Sequence, residues 1–473
     1  PFGLLLLIKG SLLVLIVGIT SMTALLFWMR DMKKLAVTIC VIPVLSTIIF
    51  SVVAKQSIAG LFYYIKSMLD VTSGYTEAMS VNGRTAEVVL YIITALITLY
   101  CCYNARNKSK DVRLFLTIAV ALYLFIAFKA GFARHDSHAL TSAAAIFTAG
   151  FLLYTVLQHK RLIIAFLLSA FTWLFISYNY VGQLVFDIFK PVPVVYTESL
   201  EGLMTRLAEG DKLNEKYTNK LAEIRQMQPS IPLLPGTVDL YSYEQTYLLA
   251  TENKWSPRPV IQSYAVYTAK LAEMNEKHLL SPAAPNNIIF RLQSIDNRIP
   301  ALDDGLSWPT IINNYIPGNI DVGFLYLTQK RAKNITPKKI EVYKKECALN
   351  EEVLMPADTS NMLFAQFDIS QTVMGGLVTA LYQPEPMDII ITLKDGSIRK
   401  HRMIPGMSKS GFIFSPFIEN VDEFKMLFSD LPGLQQKAVK SFKISNEGLG
   451  FRKRFRSWKP VYTFRLSRIE YTN

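Results

Sequence analysis

The sequence predicts an α-helical membrane domain followed by extracytoplasmic α/β and β-sandwich domains, the sandwich being jelly-roll-like. Three observations support this fold class. The 473-residue chain is mostly apolar up to about position 186 and has charges scattered throughout afterwards. Its apolar part contains stretches long enough to cross a bilayer, which takes about 20 apolar residues for roughly 30 Å of hydrocarbon. Its last part, from about position 336, reads as short strands separated by turns.

The membrane domain is predicted from six apolar stretches in series. They are 4–28, 35–54, 87–105, 113–132, 139–157 and 162–186. The fourth is the weakest, because its uncharged core, 114–128, is short. A buried helix of a soluble protein is the alternative for any one stretch, but six in series favour a membrane domain. The chain begins inside an apolar run without Met, so we expect the domain, residues 1–186, to be N-terminally incomplete.

Lysine and arginine are distributed unevenly between the connections. The turns after the first, third and fifth spans hold nine of them: Arg30, Lys33, Lys34, Arg106, Lys108, Lys110, Arg113, Lys160 and Arg161. The positive-inside rule makes that side cytoplasmic. The 55–86 loop, the 129–138 turn and everything after position 186 are then expected outside. The 55–86 loop is partly apolar at helical spacing, which predicts an amphipathic helix over about 58–69 and turns at Gly74 and Gly83.

The extracytoplasmic part divides into three segments by pattern. Residues 187–230 read as a linker and one long charged helix over 198–227. Residues 231–335 alternate strands with helices, which is typical of a small α/β domain. Residues 336–473 read as a β-sandwich, in which Asp395-Gly396 between alternating strands predicts a hairpin. Sandwiches of this kind often bind carbohydrate, although a fold does not define a function.

The outer turn "FKAGFARHDSHA" is the candidate functional site, because polar groups at a membrane boundary usually have partners or functions. Lys129 and Arg134, with His138, are candidates for holding a phosphate or pyrophosphate by charge-assisted hydrogen bonds. His135 and Asp136 are the candidate catalytic acid or base. A structural ion-pair cluster is the main alternative, with Lys129 merely snorkelling. The two histidines with Asp136 would offer too few ligands of recognisable spacing for a metal, so no metal or cofactor is predicted.

Glu77 and a basic segment near the C-terminus are further candidates, whereas common catalytic and cysteine motifs are missing from the sequence. Glu77, in "SGYTEAMS", is a reserve catalytic candidate if that segment faces inward, and a solvated loop is the alternative. The soluble part has no GxGxxG, P-loop, HExxH or nucleophile elbow. The four cysteines show no CxxC spacing. The basic and aromatic segment "GFRKRFRSWKP" is most simply a solvated loop. Outside the cytoplasm its partner would be anionic lipid or a lipid-linked phosphate and no nucleic acid.

Five segments together carry a family resemblance: "FKAGFARHDSHA", "SGYTEAMS", "LPGTVDLYSYE", "RPVIQSYAVYT" and "DNRIPALDDGLSW". They resemble a family of poorly characterised bacterial multi-pass inner-membrane proteins linked to surface-glycan assembly. In layout the chain is similar to O-antigen polymerases and ligases and to glycosyltransferases of the C superfamily. It departs from them in showing no acidic pair in a first outer loop and in placing its large soluble part C-terminally.

The resemblance implies a location in the bacterial inner membrane, with the C-terminal domains in the periplasm. It implies a membrane glycosyltransferase or glycan polymerase acting on polyprenyl-phosphate-linked sugars, in which basic residues bind pyrophosphate and an acidic residue or His activates the acceptor. The expected partners are then lipid-linked oligosaccharide and membrane lipids. The alternative is a non-enzymatic subunit that anchors a periplasmic interaction module to other membrane subunits.

Overall fold

The structure, a computed structural model, describes residues 2–181, 191–208, 211–227, 231–330, 335–356, 362–446 and 456–471. It divides into two compact units. The first comprises Pro1–Thr72 and Met79–Leu203, and the second comprises Ser73–Ala78 and Met204–Asn473. The first is helical and the second contains the sheets, so the predicted order of a helical part followed by a strand-rich part is confirmed. The predicted basic residues Arg452, Lys453 and Arg454 lie outside the described residues.

The helical part is built mainly from apolar helices. They are α1 (Phe2–Ile8), α2 (Leu13–Met29), α3 (Lys33–Val53), α4 (Ile58–Met79), α5 (Thr85–Tyr103), α6 (Lys110–Phe132), α7 (Ala139–Leu157), α8 (Arg161–Val181) and α9 (Pro191–Ala208). In the described part of the chain, five are long and apolar enough to cross a membrane, namely α3, α5, α6, α7 and α8. By length and composition, the chain is therefore a membrane protein.

Three local predictions differ from the structure. The predicted first span, 4–28, is interrupted by a 3-10 turn at Gly10–Leu12, which leaves an α2 of 17 residues. The charged Lys9 beside a glycine with poor helix propensity explains the break. The predicted single helix over 198–227 is two helices, α9 and α10 (Lys212–Gln226), separated around another glycine, Gly210, that lies outside the described residues.

The third difference concerns the turn predicted at Gly74, where α4 instead continues to Met79. Gly74 is required there for close packing rather than for a turn. A Cβ at this position would lie 2.5 Å from the Cβ of Tyr267, which belongs to the same compact unit. The smallest residue thus lets the helix backbone approach its neighbour.

Small and hydroxylated residues hold the apolar helices together, as is common in membranes. Gly150 on α7 lies against Ser169 on α8, where a Cβ would be 2.6 Å from the Ser169 Oγ. Thr94 and Thr172 are hydrogen-bonded between α5 and α8 at 2.7 Å. Ser142 on α7 donates to the carbonyl oxygen of Ala127 on α6 at 2.8 Å. The helices therefore associate through close backbone contact and a few interhelical hydrogen bonds.

The three basic turns lie at one end of this helical unit. Arg30, after α2, donates from Nε to Asp111 Oδ2 at the start of α6 at 3.0 Å. Asn107, in the α5–α6 turn, donates to the carbonyl oxygen of Leu157 at the end of α7. Because α6 and α7 each run the length of the unit once, the 133–138 turn lies at the opposite end.

The second unit contains a mixed five-stranded sheet in the order β2-β1-β3-β5-β4. Its strands are β1 (Thr237–Tyr241), β2 (Lys254–Trp255), β3 (Asn287–Phe290), β4 (Tyr315–Asp321) and β5 (Phe324–Gln329). β1 is parallel to β2 and β3, whereas β5 is antiparallel to β3 and β4. The associated helices are α11 (Gln245–Leu249), α12 (Ala269–Leu279) and α13 (Ser307–Asn314). All four residues of β3 are buried, as expected for a central strand covered on both faces.

The remaining strands form two antiparallel four-stranded sheets, ordered β10-β9-β12-β7 and β11-β8-β13-β6. They are β6 (Lys338–Ala348), β7 (Glu352–Leu354), β8 (Leu363–Asp368), β9 (Met387–Leu393), β10 (Ile398–Met403), β11 (Phe412–Ser415), β12 (Val439–Ser445) and β13 (Val461–Glu470). The helices between them are α14 (Val373–Leu381), α15 (Pro405–Ser408) and α16 (Val421–Met426).

The aromatic rings between these two sheets form a shared core. The ring of Phe442 on β12 lies 5.5 Å from that of Phe367 on β8 and 4.8 Å from that of Phe464 on β13. The hairpin predicted at Asp395-Gly396 is confirmed, since β9 and β10 pair antiparallel across it and Gly396 has φ +84°. Only glycine adopts that backbone conformation without strain.

Candidate functional site

The turn between α6 and α7 is fixed by backbone pairing and by one buried ring. The backbone N–H of His135 donates to the carbonyl oxygen of Val81 at 3.3 Å. The imidazole is 2% exposed, and the ring of Phe132 packs edge-on against it at 4.8 Å. A Cβ at Gly83 would lie 2.3 Å from this imidazole, so only glycine fits beside it. Gly83, predicted to form a turn, lies in the non-helical connection between α4 and α5, where its lack of a side chain serves the packing of His135.

The buried partner of His135 is Glu87, near the start of α5. The Glu87 side chain is fully buried, and its Oε2 lies 2.9 Å from Nε2 of His135. Tyr180 donates its hydroxyl to the same oxygen at 2.9 Å, and Asn179 donates from Nδ2 to Oε1 at 2.8 Å. Arg84 in turn donates to the Asn179 side-chain oxygen. One carboxylate thus joins α5, α8 and the 133–138 turn.

The chemistry of this dyad follows from its hydrogen bonds. Nε2 of His135 and Oε2 of Glu87 form one hydrogen bond with each other. The other ring nitrogen, Nδ1, is buried and has no hydrogen-bond partner among the described residues. A ring without solvent access cannot exchange a proton with a substrate in this conformation. The dyad therefore holds the turn in place, and His135 is a positioning residue in this arrangement.

Asp136 and His138 form a second and accessible pair in the same turn. Asp136 Oδ1 accepts from Nδ1 of His138 at 2.6 Å and from its backbone N–H at 3.0 Å. Asp136 Oδ2 accepts from Nε of Arg134 at 2.8 Å. The His138 side chain is 48% exposed. With Nδ1 donating to the carboxylate, neutral His138 presents the lone pair of Nε2 outwards, which is the arrangement of an oriented general base.

The electrostatics of the turn favour an ionised Asp136. Burial opposes its ionisation, but the two hydrogen bonds from His138 and the charges of His138 and Arg134 outweigh burial and lower the pKa of Asp136. A permanent negative charge beside the imidazole stabilises the imidazolium that forms when His138 accepts a proton. The turn thus combines a proton acceptor, a carboxylate that orients it and a guanidinium.

The structure also describes the two other predicted site residues, Lys129 and Glu77. Lys129 is partly buried on the last turn of α6. Its carbonyl oxygen accepts a hydrogen bond from the backbone N–H of Ala133. Glu77 belongs to the second compact unit, where its Oε1 accepts from the backbone N–H of Gly406. Burial raises the pKa of Glu77 to about 7, against the opposing effects of that hydrogen bond and of Arg402.

A separate buried ionic network lies in the second unit around Arg258. Its guanidinium donates to Asp239 Oδ2 at 2.8 Å and lies 3.8 Å from Asp304 Oδ2. It also donates to Ser263 Oγ at 3.0 Å and stacks 3.7 Å from the ring centre of Tyr241. All three ionic side chains are at most 1% exposed. This arrangement satisfies the charges internally, which is what buried ions require.

Arg298 makes a second such connection. Its guanidinium donates to the carbonyl oxygens of Ala78 at 2.8 Å and Tyr264 at 2.9 Å, and it lies 3.3 Å from Asp303 Oδ1. Four of the five segments that carry the family resemblance thus meet in one unit through two buried arginines. The fifth, "FKAGFARHDSHA", belongs to the helical unit. Sequence reasoning did not predict this convergence, because the segments lie up to about 230 residues apart in the sequence.

Sequence reasoning also missed Glu87 and its donors Asn179 and Tyr180. A signal was present for Glu87, which is an ionisable residue at the start of a predicted span. The apolar pattern predicts only that a span begins at Glu87. Asn179 and Tyr180 occupy the end of the last span, where polar residues are common at the interface and carry no distinguishing pattern.

We expect Glu87→Ala to destabilise the helical unit, because it removes the shared hydrogen-bond partner of His135, Asn179 and Tyr180. Hydrogen bonds between membrane helices contribute on average about 0.6 kcal/mol each, so three predict a loss of about 2 kcal/mol. Thr94→Val is the matched control, since it removes one hydrogen bond between α5 and α8. The measurement is thermal unfolding of the full chain in detergent. A melting temperature for Glu87→Ala equal to that of Thr94→Val would contradict the assignment.

Asp304 provides a pH prediction for the second unit. Burial raises its pKa from 3.8 to about 7, against the charge of Arg258 and hydrogen bonds from Asn275 and Ser307. The folded chain therefore binds more protons than the unfolded chain between about pH 4 and 7, and this contribution to stability is lost as the pH rises. We expect wild type to lose stability relative to Asp304→Asn from pH 5 to pH 8, measured by denaturant unfolding with Trp fluorescence. A pH-independent difference between the two proteins would refute the prediction.

The chain matches no protein-family model, no curated protein and no solved structure. Within the described ranges, no group of three or more His, Cys, Asp or Glu side chains is placed to hold a metal ion. The interpretation of the site therefore depends on the contacts of its own residues, and the arrangement that offers accessible chemistry is the Asp136–His138 pair beside Arg134.

Proposed function

We propose that the protein is an integral-membrane glycosyltransferase or glycan polymerase that acts on polyprenyl-phosphate-linked sugars at the periplasmic face of a bacterial inner membrane. The observation that carries this proposal is the oriented, half-exposed imidazole of His138 beside Arg134. A proton acceptor and a cation at the end of two apolar helices suit a substrate that has an apolar tail, a phosphate group and a sugar.

The reaction assigns a role to each group. The hydroxyl oxygen of the acceptor sugar forms a bond to the anomeric carbon of the lipid-linked sugar. The bond from that carbon to the phosphate oxygen breaks, and the polyprenyl phosphate or pyrophosphate leaves with the electron pair. His138 accepts the hydroxyl proton on Nε2, while Asp136 orients the ring and stabilises its positive charge. Arg134 and Lys129 are the proposed ligands of the departing phosphate.

The apolar tail of such a substrate has a candidate place in the helical unit. A groove of about 540 Å³ lies among α1, α2, α3 and α4, and its lining is almost wholly apolar. It includes Ile16, Val17, Pro43, Leu61 and Phe62. A groove of this kind suits an isoprenoid or acyl chain, because dispersion contacts and apolar burial favour it and no ordered polar partner is needed.

The strand-rich part supports the carbohydrate aspect of the proposal. If the eight strands from β6 to β13 are numbered 1 to 8, the two sheets have the strand orders 1-8-3-6 and 2-7-4-5. We interpret this as the jelly-roll order, in which two Greek keys form two facing sheets. Jelly rolls occur among carbohydrate-binding domains, so this domain is proposed to hold the glycan chain while the membrane unit extends it.

We expect His138→Ala and Asp136→Asn each to abolish or strongly reduce surface polysaccharide in a deletion strain that carries the variant. General acid–base catalysis contributes typically about 10²–10⁴-fold to a rate. Two controls separate chemistry from disruption of a turn. Ser137→Ala changes an exposed residue of the same turn, and His159→Ala removes a half-buried histidine from the α7–α8 turn. Normal glycan on a gel for both His138→Ala and Asp136→Asn, at normal protein levels, would refute the catalytic assignment.

The second candidate function is a non-enzymatic subunit of a larger membrane complex. It is favoured by one observation: Asp136, Arg134 and His138 already bind each other, as a structural ion-pair cluster would. Purification in mild detergent distinguishes the two functions. Stoichiometric recovery of other membrane proteins favours the subunit. Recovery of the chain alone with lipid-linked oligosaccharide, identified by mass spectrometry, favours the enzyme.

The proposed orientation predicts a labelling pattern. A cysteine at Ser109 lies in a basic turn and should resist a membrane-impermeant thiol reagent in intact spheroplasts that lack the native cysteines. A cysteine at Ser397, in the strand-rich part, should be labelled. Permeabilised spheroplasts are the control, because Ser109 should then react. Labelling at 109 with protection at 397 in intact spheroplasts would invert the orientation and exclude a periplasmic reaction.

A further inference from the structure

Helix α14 exposes its apolar face, whereas a surface helix of a soluble domain normally buries that face. The side chains on one of its faces are all apolar and exposed: Val373, Met374, Leu377, Ala380 and Leu381. Val373 is 95% exposed, and the other large ones are about half exposed. The opposite face, toward the protein, is centred on Gly375 and Thr379, and the half-buried Gly376 and Val378 flank it. A surface helix normally buries its large apolar residues and exposes polar ones, so this face is arranged to meet an apolar medium.

The helix is held firmly in this orientation. Thr372 caps its N-terminus by accepting from the Gly375 N–H at 2.9 Å, and donates its own hydroxyl to the carbonyl oxygen of Arg456 at 2.8 Å. A Cβ at Gly375 would lie 1.9 Å from the carbonyl oxygen of Ser457, so glycine is required for this contact. Gln371 donates to Thr379 Oγ1 at 3.0 Å. The apolar face is therefore presented by the fold and does not arise from a loosely attached helix.

Two cations accompany the apolar face. Arg456 and Lys459 are exposed in the segment that supports α14, since the Lys459 N–H donates to the Ser370 carbonyl oxygen at 3.0 Å. In the sequence, Arg456 follows three further cations within four residues. An apolar helical face beside lysine and arginine is the combination found in helices that lie in the plane of a membrane surface.

We propose that α14 is a membrane-docking helix, by which the strand-rich part of the chain inserts its exposed apolar face into the interfacial region of an anionic bilayer. The chain is itself anchored in a membrane, so the local concentration of lipid is high and weak insertion is sufficient. A protein partner is a poorer fit. A stable protein interface uses about 20–30 residues on each side and is enriched in aromatic residues, whereas this face has five aliphatic side chains.

The test uses the full chain with one copy per lipid nanodisc. A cysteine replaces Leu377 in a background lacking the native cysteines and carries an environment-sensitive fluorophore. Lipids spin-labelled near the headgroup then act as quenchers in discs of phosphatidylglycerol and phosphatidylcholine. We expect about twofold or greater quenching at position 377, because interfacial helices insert about 5–10 Å. The matched control carries the fluorophore at Leu354, a 68% exposed aliphatic residue at the end of β7. Quenching should be absent there.

A second variant tests the charge contribution. Arg456→Glu combined with Lys459→Glu should reduce quenching at position 377 in anionic discs, whereas in pure phosphatidylcholine it should have little effect. Equal quenching at 377 and 354, or none at 377, would overturn the proposal. So would shielding of the fluorophore only in discs that hold two copies, which would assign the face to self-association. If the fluorophore is shielded only when another protein co-purifies, and lipids do not quench it, the apolar face of α14 binds a protein partner.

Discussion

The helical unit depends on the requirement that a carboxyl group buried among apolar helices be fully hydrogen-bonded. Glu87 meets this requirement with one donor from the 133–138 turn and two from the end of α8. Each donor is thereby fixed relative to the carboxylate, since loss of any contact would leave a buried polar group unsatisfied. The accessible Asp136 and His138 follow His135 directly in the chain. Their position at the membrane boundary is therefore a consequence of the buried His135–Glu87 pair.

The second unit uses the same principle with opposite charges. Arg258 and Arg298 are buried, and segments distant in the sequence supply their carboxylates and carbonyl acceptors. Breaking such a network is costly, because it leaves an unpaired buried ion. Burial raises the pKa of Asp304 to about 7, because the charge of Arg258 and the hydrogen bonds from Asn275 and Ser307 offset only part of the desolvation. We therefore expect the stability of this unit to depend on pH between about 4 and 7.

The proposed function and the proposed docking helix concern different surfaces of the same chain. The Asp136–His138 pair lies on a turn between two apolar helices, where a lipid-linked substrate would present its phosphate. α14 lies between two strands of the strand-rich part and carries its apolar residues outward. Each proposal places part of this chain next to lipid: a polar pair at the end of two apolar helices in one case, and an apolar helical face in the other. The two proposals are nevertheless independent, since each has a test that leaves the other intact.

The sequence by itself determined the features that depend on composition and local pattern. Apolar length predicted the helical membrane part, alternation predicted the strands, and Asp395-Gly396 predicted its hairpin, because these features are encoded within about 20 residues. It also singled out the polar turn at 128–139. It did not determine which histidine was accessible, since His135 and His138 have similar neighbours in the sequence. Only the tertiary structure decided this, by bringing Glu87 from 48 residues away to bury one ring while Asp136 orients the other.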